Sequence, residues 1–472
     1  MFEFVYIRNS AYPDVPLHDH IEVLEHMGDG VECVVSNMPF SGAKRVAREI
    51  NFLIENSAQT PLELAQSLSL IYEAHGLQFD LDRTHHAPTP EGLLSEFFSY
   101  DKEICQYHQR RIECCAKCSE VCPTEAITKL DPQIAQDKGM ECADNRHLII
   151  DHQACIDCGK CISVCPSGSL SYGGFNLECV QEVAKLYRGY IPLLLDHQAE
   201  LPSTPLKKEI LPLCVNLNIL EQVALLTLLQ ESGAQVVLYA PQLEELSIGT
   251  LQSVALLNGI YAKLYQQEAI LLASDLQGLQ TCLQRAQRLE STHFTPPTTP
   301  TRTKRDIFAK RLKHAIGQGD YGRVPSASFI RYGHIEINSN CTLCLSCVGA
   351  CNTGALSVDG NAYTLLFNPS LCTTCGYCEA TCPEKDCLHL ERDGIALNPA
   401  YFVPKIMAQD SLFKCKMCAK PIGTTKSVEK IATIMIPRFQ GDARKIATLY
   451  ACPDCKVKIM LEDMLDINSI LK

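Results

Sequence analysis

Short uninterrupted apolar runs recur between residues 176 and 290: IPLLLD (191–196), ILPLCVN (210–216), AQVVLYAP (234–241) and AILLAS (269–274). Runs of this length bounded by polar residues predict buried strands. The segment ILEQVALLTLLQESG (219–233) is apolar, ends on a glycine, and predicts a helix between two of them. Strands alternating with helices imply a small parallel α/β domain. Upstream, TPLELAQSLSLIYEAHG predicts a helix with Thr60 as N-cap, Pro61 at the first position, Glu63 completing a capping box and Gly76 as stop. Downstream, STHFTPPTTPTRTK (291–304) reads as a linker. The next segment, DIFAKRLKHAI (306–316), reads as a basic amphipathic helix whose charges face solvent or form a docking surface.

Composition narrows the class. The 472 residues exceed one small core, and 46% hydrophobic with 20% charged residues describes a soluble globular chain of several domains. A net charge of −12 argues against nucleic acid as a partner and suits docking on positively charged protein patches. The start, MFEFVYIRNSAYPDVP, lacks the pattern of a secretory leader. Arg110-Arg111 precedes no apolar stretch near the start, so it is no twin-arginine signal. No apolar run reaches the length of a membrane span. The expected compartment is the cytoplasm. There, 27 cysteines are metal ligands rather than a disulfide framework.

Their spacing carries the chemistry. Cys155, Cys158, Cys161, Cys165 and Pro166 give a complete Cys-x2-Cys-x2-Cys-x3-Cys-Pro run. So do Cys372, Cys375, Cys378, Cys382 and Pro383; Cys341, Cys344, Cys347 and Cys351 match with Asn352 in place of proline. A fourth run keeps Cys115, Cys118, Cys122 and Pro123, but Ile112 stands where its first cysteine belongs. Such short spacings wrap backbone around a cubane cluster. The two cysteine-dense segments share one internal plan, an internal repeat separated by the α/β segment.

These runs resemble bacterial dicluster ferredoxins, down to the apolar residues after each fourth cysteine: Ala126-Ile127, Leu170, Ala355-Leu356 and Leu388. The resemblance implies four [4Fe–4S] clusters with crossed ligation, the fourth cysteine of each run serving the sister cluster. Cys122 then joins Cys155, Cys158 and Cys161. Cys382 joins Cys341, Cys344 and Cys347, while Cys351 joins Cys372, Cys375 and Cys378. Cys115, Cys118 and Cys165 lack one ligand, for which Cys105, Cys114 and Cys142 are candidates. Cys105 is preferred: its chain is long enough to loop over the cluster face, with Phe97, Phe98, Tyr100 and Tyr107 to cover it.

Two further Cys-x2-Cys pairs, Cys415/Cys418 and Cys452/Cys455, have the plan of a zinc ribbon. Zinc is the expected ion. A rubredoxin-like iron site is the alternative, since Cys452-Pro453 resembles a rubredoxin knuckle although Lys456 stands where rubredoxins have glycine. The middle domain faintly resembles the delta-subunit domain of methyl-viologen-reducing hydrogenases through LPLCVN, with Leu213 intervening before Cys214. The later cysteine of that family is absent. Cys33, Cys179, Cys214, Cys282 and Cys387 read as buried thiols. Three histidines in HDHIEVLEH (18–26) meet no metal-spacing rule. Gly317, Gly319 and Gly322 form Gly-x-Gly-x-x-Gly, but after a helix instead of a strand, so they are no dinucleotide fingerprint.

The expected fold is α+β and multidomain: residues 1–100 of unknown role, a dicluster ferredoxin-like module at 101–175, the α/β domain at 176–290, a linker and basic helix at 291–330, a second module at 331–395, and a zinc-ribbon-like domain at 396–472. The expected function is a cytoplasmic four-cluster electron carrier exchanging electrons with redox partner proteins. The alternative is the electron-transfer subunit of a larger oxidoreductase such as a formate dehydrogenase or hydrogenase complex. An enzyme with an unrecognised cofactor site in the middle domain is a third reading.

Overall fold

The computed structural model describes the backbone of residues 3–9, 21–27 and 31–37, and then residues 98–130, 146–151, 154–156, 158–172, 177–195, 199, 206–290, 293–295, 303–360 and 363–470. For 98, 99, 172, 177–179, 182, 214 and 462–470 this holds for the backbone alone. The expected helix at 60–76, His18, His20, Cys142, Phe97 and most of the linker lie outside the described residues, as do the side chains of His26, Cys33, Phe98, Cys179 and Cys214. The chain divides into two compact units: residues 1–331 with 394–399, and residues 332–393 with 400–472.

The first unit opens with strands β1 (Glu3–Asn9), β2 (Ile21–Met27) and β3 (Val31–Asn37), paired antiparallel in the order β1-β3-β2. The first cysteine-dense segment follows. Strand β4 (Phe98–Tyr100) precedes helix α1 (Lys117–Glu120), strands β5 (Ile127–Leu130) and β6 (His147–Ile150), helix α2 (Lys160–Val164) and strand β7 (Leu170–Tyr172). Strand β4 pairs with β7 and β5 with β6, both antiparallel. Each half is one cysteine-bearing helical turn running into one strand.

Helix α3 (Leu177–Leu186) then leads into the α/β segment. Strands β8 (Ile191–Leu195) and β9 (Ile210–Cys214) are followed by helix α4 (Gln222–Ser232), strand β10 (Val236–Tyr239), helix α5 (Ile248–Tyr265), strand β11 (Ile270–Ala273) and helix α6 (Leu276–Arg285). The sheet is parallel, in the order β11-β10-β8-β9. Leu193, Leu195, Val237, Tyr239 and Leu271 pack one face against Leu279, Cys282 and Leu283 of α6. Burial of each large apolar side chain stabilises by about 1.5–3 kcal/mol.

Helix α4 is buried on every side, so its polar residues need internal partners. Glu221 caps it by accepting from the Val223 and Ala224 N–H groups. Glu231 accepts from Gln181 at 2.5 Å and Arg188 at 2.7 Å. Gln230 donates to the Arg311 carbonyl at 3.1 Å and accepts from the Arg311 guanidinium at 2.9 Å.

Arg311 lies on helix α7 (Lys304–Ile316), the expected basic helix. Within 306–316 Lys313 and His314 are exposed and Lys310 half-buried, as a solvated face requires, but Arg311 points inward and is buried, as are Lys304 and Arg305 at the helix start. Carbonyl and amide oxygens of other segments replace their water: Ile162 and Cys165 for Lys304, Arg331 for Arg305, Gln230 for Arg311. Gly317 (φ 60) ends this helix, and Gly322 (φ 79) turns the chain into strand β12 (Arg323–Val324). The three-glycine run therefore opens no helix.

Helix α5 begins against the cysteine module. A Cβ on Gly249 would lie 2.7 Å from the Ser163 carbonyl carbon in α2. Ser163 and Ser247, the N-cap of α5, join hydroxyls at 2.6 Å. Gly249→Ala is expected to push α2, the helix carrying Cys161, off its support. The cost is about 1–3 kcal/mol of stability, read by thermal denaturation of the loaded protein. An unchanged melting temperature would contradict this contact.

The second unit repeats the module plan: strand β13 (His334–Ile337), helix α8 (Ser346–Ala350), strands β14 (Leu356–Asp359) and β15 (Thr364–Phe367), helix α9 (Tyr377–Ala380) and strand β16 (Leu388–Glu391). Strand β13 pairs with β16 and β14 with β15. Ile335, Leu343, Ala355, Leu356, Leu365, Phe367, Leu388 and Leu390 share one core with Cys347 and Cys372. Strand β17 (Ile395–Ala396) returns to the first unit and pairs with β12.

Strand β18 (Lys405–Gln409) extends the β14–β15 sheet. Beyond it come a hairpin, β19 (Leu412–Lys414) and β20 (Pro421–Thr424), and helices α10 (Thr425–Met435), α11 (Ala443–Leu449) and α12 (Pro453–Ile470). Among the described residues no helix is long and apolar enough to cross a membrane.

Candidate metal centres

In three of the four cysteine runs the backbone enters the left-handed region beside a cysteine. Gly159 (φ 74) and Gly376 (φ 83) do so freely, whereas Leu343 (φ 54), Leu345 (φ 62) and Thr374 (φ 55) each carry a Cβ, at a cost of about 1–2 kcal/mol apiece. Strain of this kind gathers at functional sites. Across the four runs, backbone N–H groups are aimed at sulfur. The Thr374 N–H donates to Cys372 Sγ at 3.3 Å. Leu343 donates likewise to Cys341, Lys160 to Cys158 and Lys117 to Cys115. Such donors stabilise thiolate and tune whatever metal it binds.

The thiols perturb one another in groups. Burial pushes Cys115 up to about 11, and Cys165 and Cys105 add to the rise against the opposing Lys117. Cys118 is raised by burial and then by Cys165, Cys115, Cys161 and Cys105. Cys161 is raised by burial and by Cys158, Cys155, Cys165 and Cys122. In the second unit burial lifts Cys347 to about 11, with Cys341, Cys344 and Cys382 contributing. Cys378 rises through burial and then Cys372, Cys375, Cys351 and Cys347. The neighbours that raise Cys118, Cys161, Cys347 and Cys378 each include the fourth cysteine of the sister run, and Cys161 also feels Cys165 of its own run.

Cys105 is buried, and the Tyr107 N–H donates to its Sγ at 3.4 Å. The Tyr100 hydroxyl is raised by burial and then by Cys105. Cys114 is only half-buried, and Ile112 is exposed.

Sequence reasoning missed the position of Cys387. Its thiol, pushed up to about 12 by burial and then by Cys341 and Cys382, is hydrogen-bonded to both. It precedes Leu388 as Ala126 precedes Ile127 and Ala355 precedes Leu356, in a loop one residue longer, and that position before the apolar residue was the signal available. Cys282 is a buried thiol of the α/β core, 3.9 Å from the Leu272 carbonyl.

The C-terminal pairs converge: the sulfurs of Cys415, Cys418, Cys452 and Cys455 all lie within 4.8 Å of one another. Cys418 and Cys452 are 3.6 Å apart, close to the roughly 3.8 Å edge of a tetrahedron with Zn–S bonds of about 2.3 Å. The first pair sits at the tip of the β19–β20 hairpin, where Ala419 turns left-handed (φ 60). The second opens α12 instead of a second hairpin, a departure from the ribbon plan. The Cys452 N–H donates to Cys415 Sγ at 3.3 Å and leads the effects holding that thiol down at about 6. Hydrogen bonds to Cys452, Cys418 and Cys415, together with burial, hold Cys455 up at about 12.

Residues 110–169 and, separately, 334–383 match family models of the 4Fe-4S dicluster domain. The chain thus carries two 4Fe-4S dicluster domains, the type of domain that binds iron–sulfur clusters for electron transfer. The chain is 34% identical over 112 residues to the polyferredoxin-like subunit of an aliphatic sulfonate oxidoreductase from Pyrococcus furiosus. That alignment covers 22% of this chain and 53% of the relative, so the chain spans about half the length of the curated protein it matches. Cys105 and Cys387 both lie outside the two matched segments.

Proposed function

We propose that the chain carries four [4Fe–4S] clusters and one structural zinc, and relays single electrons as a subunit of a larger oxidoreductase. The observation that carries the reading is the pair of matched dicluster domains, with Cys341, Cys347, Cys351, Cys372, Cys378 and Cys382 gathered around one core in the second unit. Bound there, a cubane supplies one-electron exchange at a potential set by its surroundings. The chain's own part is to fix thiolates, aim N–H donors at them and exclude water. The proposed sets are Cys105, Cys115, Cys118 and Cys165; Cys122, Cys155, Cys158 and Cys161; Cys341, Cys344, Cys347 and Cys382; and Cys351, Cys372, Cys375 and Cys378.

At the C-terminal knuckles four thiolates close the shell and leave no place for water, the pattern of a structural zinc site. A rubredoxin-like iron is the alternative ion. The proposed compartment is the cytoplasm, since so many ligand thiols need reducing surroundings. Subunit status, in preference to a free carrier, is favoured by the relative's own description as an oxidoreductase subunit. Native purification should yield a stoichiometric complex with a redox enzyme; a monomer from native cells would favour the free carrier.

Anaerobically purified, reconstituted protein is expected to contain about sixteen iron atoms, as many sulfides and one zinc per chain. Half that iron in fully reconstituted protein would rule out four clusters.

A further inference from the structure

We propose that Lys304 and Lys117 hold buried positive charge against the first cysteine module and so raise the reduction potentials of its cluster pair above those of the second module. The inference rests on the four-cluster reading. Lys304 is only 6% exposed. Its Nζ donates to the Ile162 carbonyl at 3.2 Å and the Cys165 carbonyl at 3.1 Å. Those carbonyls bracket the turn between Cys161, proposed for one cluster, and Cys165, proposed for the other. The Lys304 N–H, at the start of α7, donates to the Ser167 carbonyl at 3.2 Å, adding the positive end of that helix to the same loop. Lys117 stands between Cys115 and Cys118, 8% exposed, and its Nζ donates to the Phe329 carbonyl at 2.5 Å. Both ammonium groups therefore donate to neutral backbone carbonyls, that of Lys304 to two within the module and that of Lys117 to one outside it. The anion beside Lys304 is Glu221, at 3.4 Å, whose carboxylate is shared with two N–H groups of α4.

The second module is built differently. Its buried polar residues among those described are Thr342, Thr364, Ser370, Thr373 and Thr374, with no lysine or arginine. Its Glu384 carboxylate is largely covered and is tied to Thr342 and to the half-exposed Lys430. Reduction adds one negative charge to a cluster. A cation in low dielectric favours that state strongly, whereas a solvated one is screened. Electrons shared between the two pairs at equilibrium are thereby drawn to the first.

The test is a potentiometric titration of the full-length loaded protein followed by EPR. Signals of the first pair are identified by their loss in Cys161→Ser for one cluster and in Cys118→Ser for the other. In the wild type the first pair should reduce at the higher potential. Lys304→Met should lower it by about tenfold in the reduction equilibrium, about 59 mV for one electron, with the second pair unmoved. Glu221→Gln, which keeps an acceptor for the α4 cap, should shift the first pair upward. Opposite shifts are the signature of charge, because a purely structural role would move both variants alike. If Lys304→Met does not retain its clusters, Lys117→Met, expected downward, and Glu221→Gln, expected upward, decide. Equal potentials for the two pairs, or shifts of the same sign, would overturn the inference. With iron near sixteen per chain such a result leaves the four-cluster reading standing; iron at half that value removes the reading itself.

Discussion

Removal of the C-terminal ion is expected to unfold the hairpin and helices around it while leaving the cluster absorption in place. The proposed metal site is the local core: Cys415, Cys452 and Cys455 are buried together with Ala451 and Ile459, and Ile422 packs alongside. Two isoleucines and an alanine, with Val428 and Ala432 of α10, bury too little apolar surface to offset the ordering of so many residues. Metal binding must therefore carry the folding, as in small zinc domains, where it amounts to about 10–16 kcal/mol. Without a cation the four sulfurs within 4.8 Å repel as thiolates or crowd as thiols. Cys452→Ser should have the same result as chelation, because it removes one of the four sulfurs that converge on the site. The measurement is metal content with far-ultraviolet circular dichroism and visible absorption on one sample. Loss of zinc and of helix signal at constant cluster absorbance is the expected result. Loss of iron–sulfur absorbance instead would mean that these cysteines ligate a cluster.

Contiguous signals carried the legible part of the fold. The apolar runs at 191, 210, 236 and 270 are strands, and the glycine-ended run before Gly233 is a helix. Continuous hydrophobicity is what a parallel sheet covered on both faces requires. The cysteine runs announced cluster chemistry because their spacing is fixed by the size of the ion they wrap. The N-terminal strands were passed over: IEVLEHM was weighed for its histidine, yet its backbone is a strand. The inward turn of Lys304, Arg305 and Arg311 was equally hidden. A charged helix face reads as solvated until its partners are known, and the carbonyls of Ile162 and Cys165 lie about 140 positions away. Cys387 looked like an ordinary buried thiol because only the folded loop brings it to Cys341 and Cys382.

Cys105→Ser should remove or alter one cluster of the first pair, whereas Cys114→Ser and Cys142→Ser should leave all four. Cys114 is a poorer replacement than Cys105 for the sulfur missing at Ile112. Cys114 adjoins Cys115, and side chains of successive residues in extended chain point to opposite sides. Cys105 arrives by another route. The β4–β7 pair places Tyr100 opposite Leu170, and the Asp101 N–H donates to the Ser169 carbonyl at 2.8 Å while the Ser169 hydroxyl donates back to the Asp101 carbonyl at 2.7 Å. This clamp ties the segment before Cys105 to the one just after Cys165. It leaves Cys105 buried where Cys115 and Cys118 feel it. Tyr107, itself fully buried, holds the sulfur through its N–H. A serine there keeps the clamp and the size of the side chain but gives iron a far poorer ligand. The expected readout is loss of about four of the roughly sixteen irons, together with disappearance or change of one EPR signal. Full iron content with an unaltered spectrum in Cys105→Ser would return the fourth ligand to Cys114, Cys142 or a three-cysteine site.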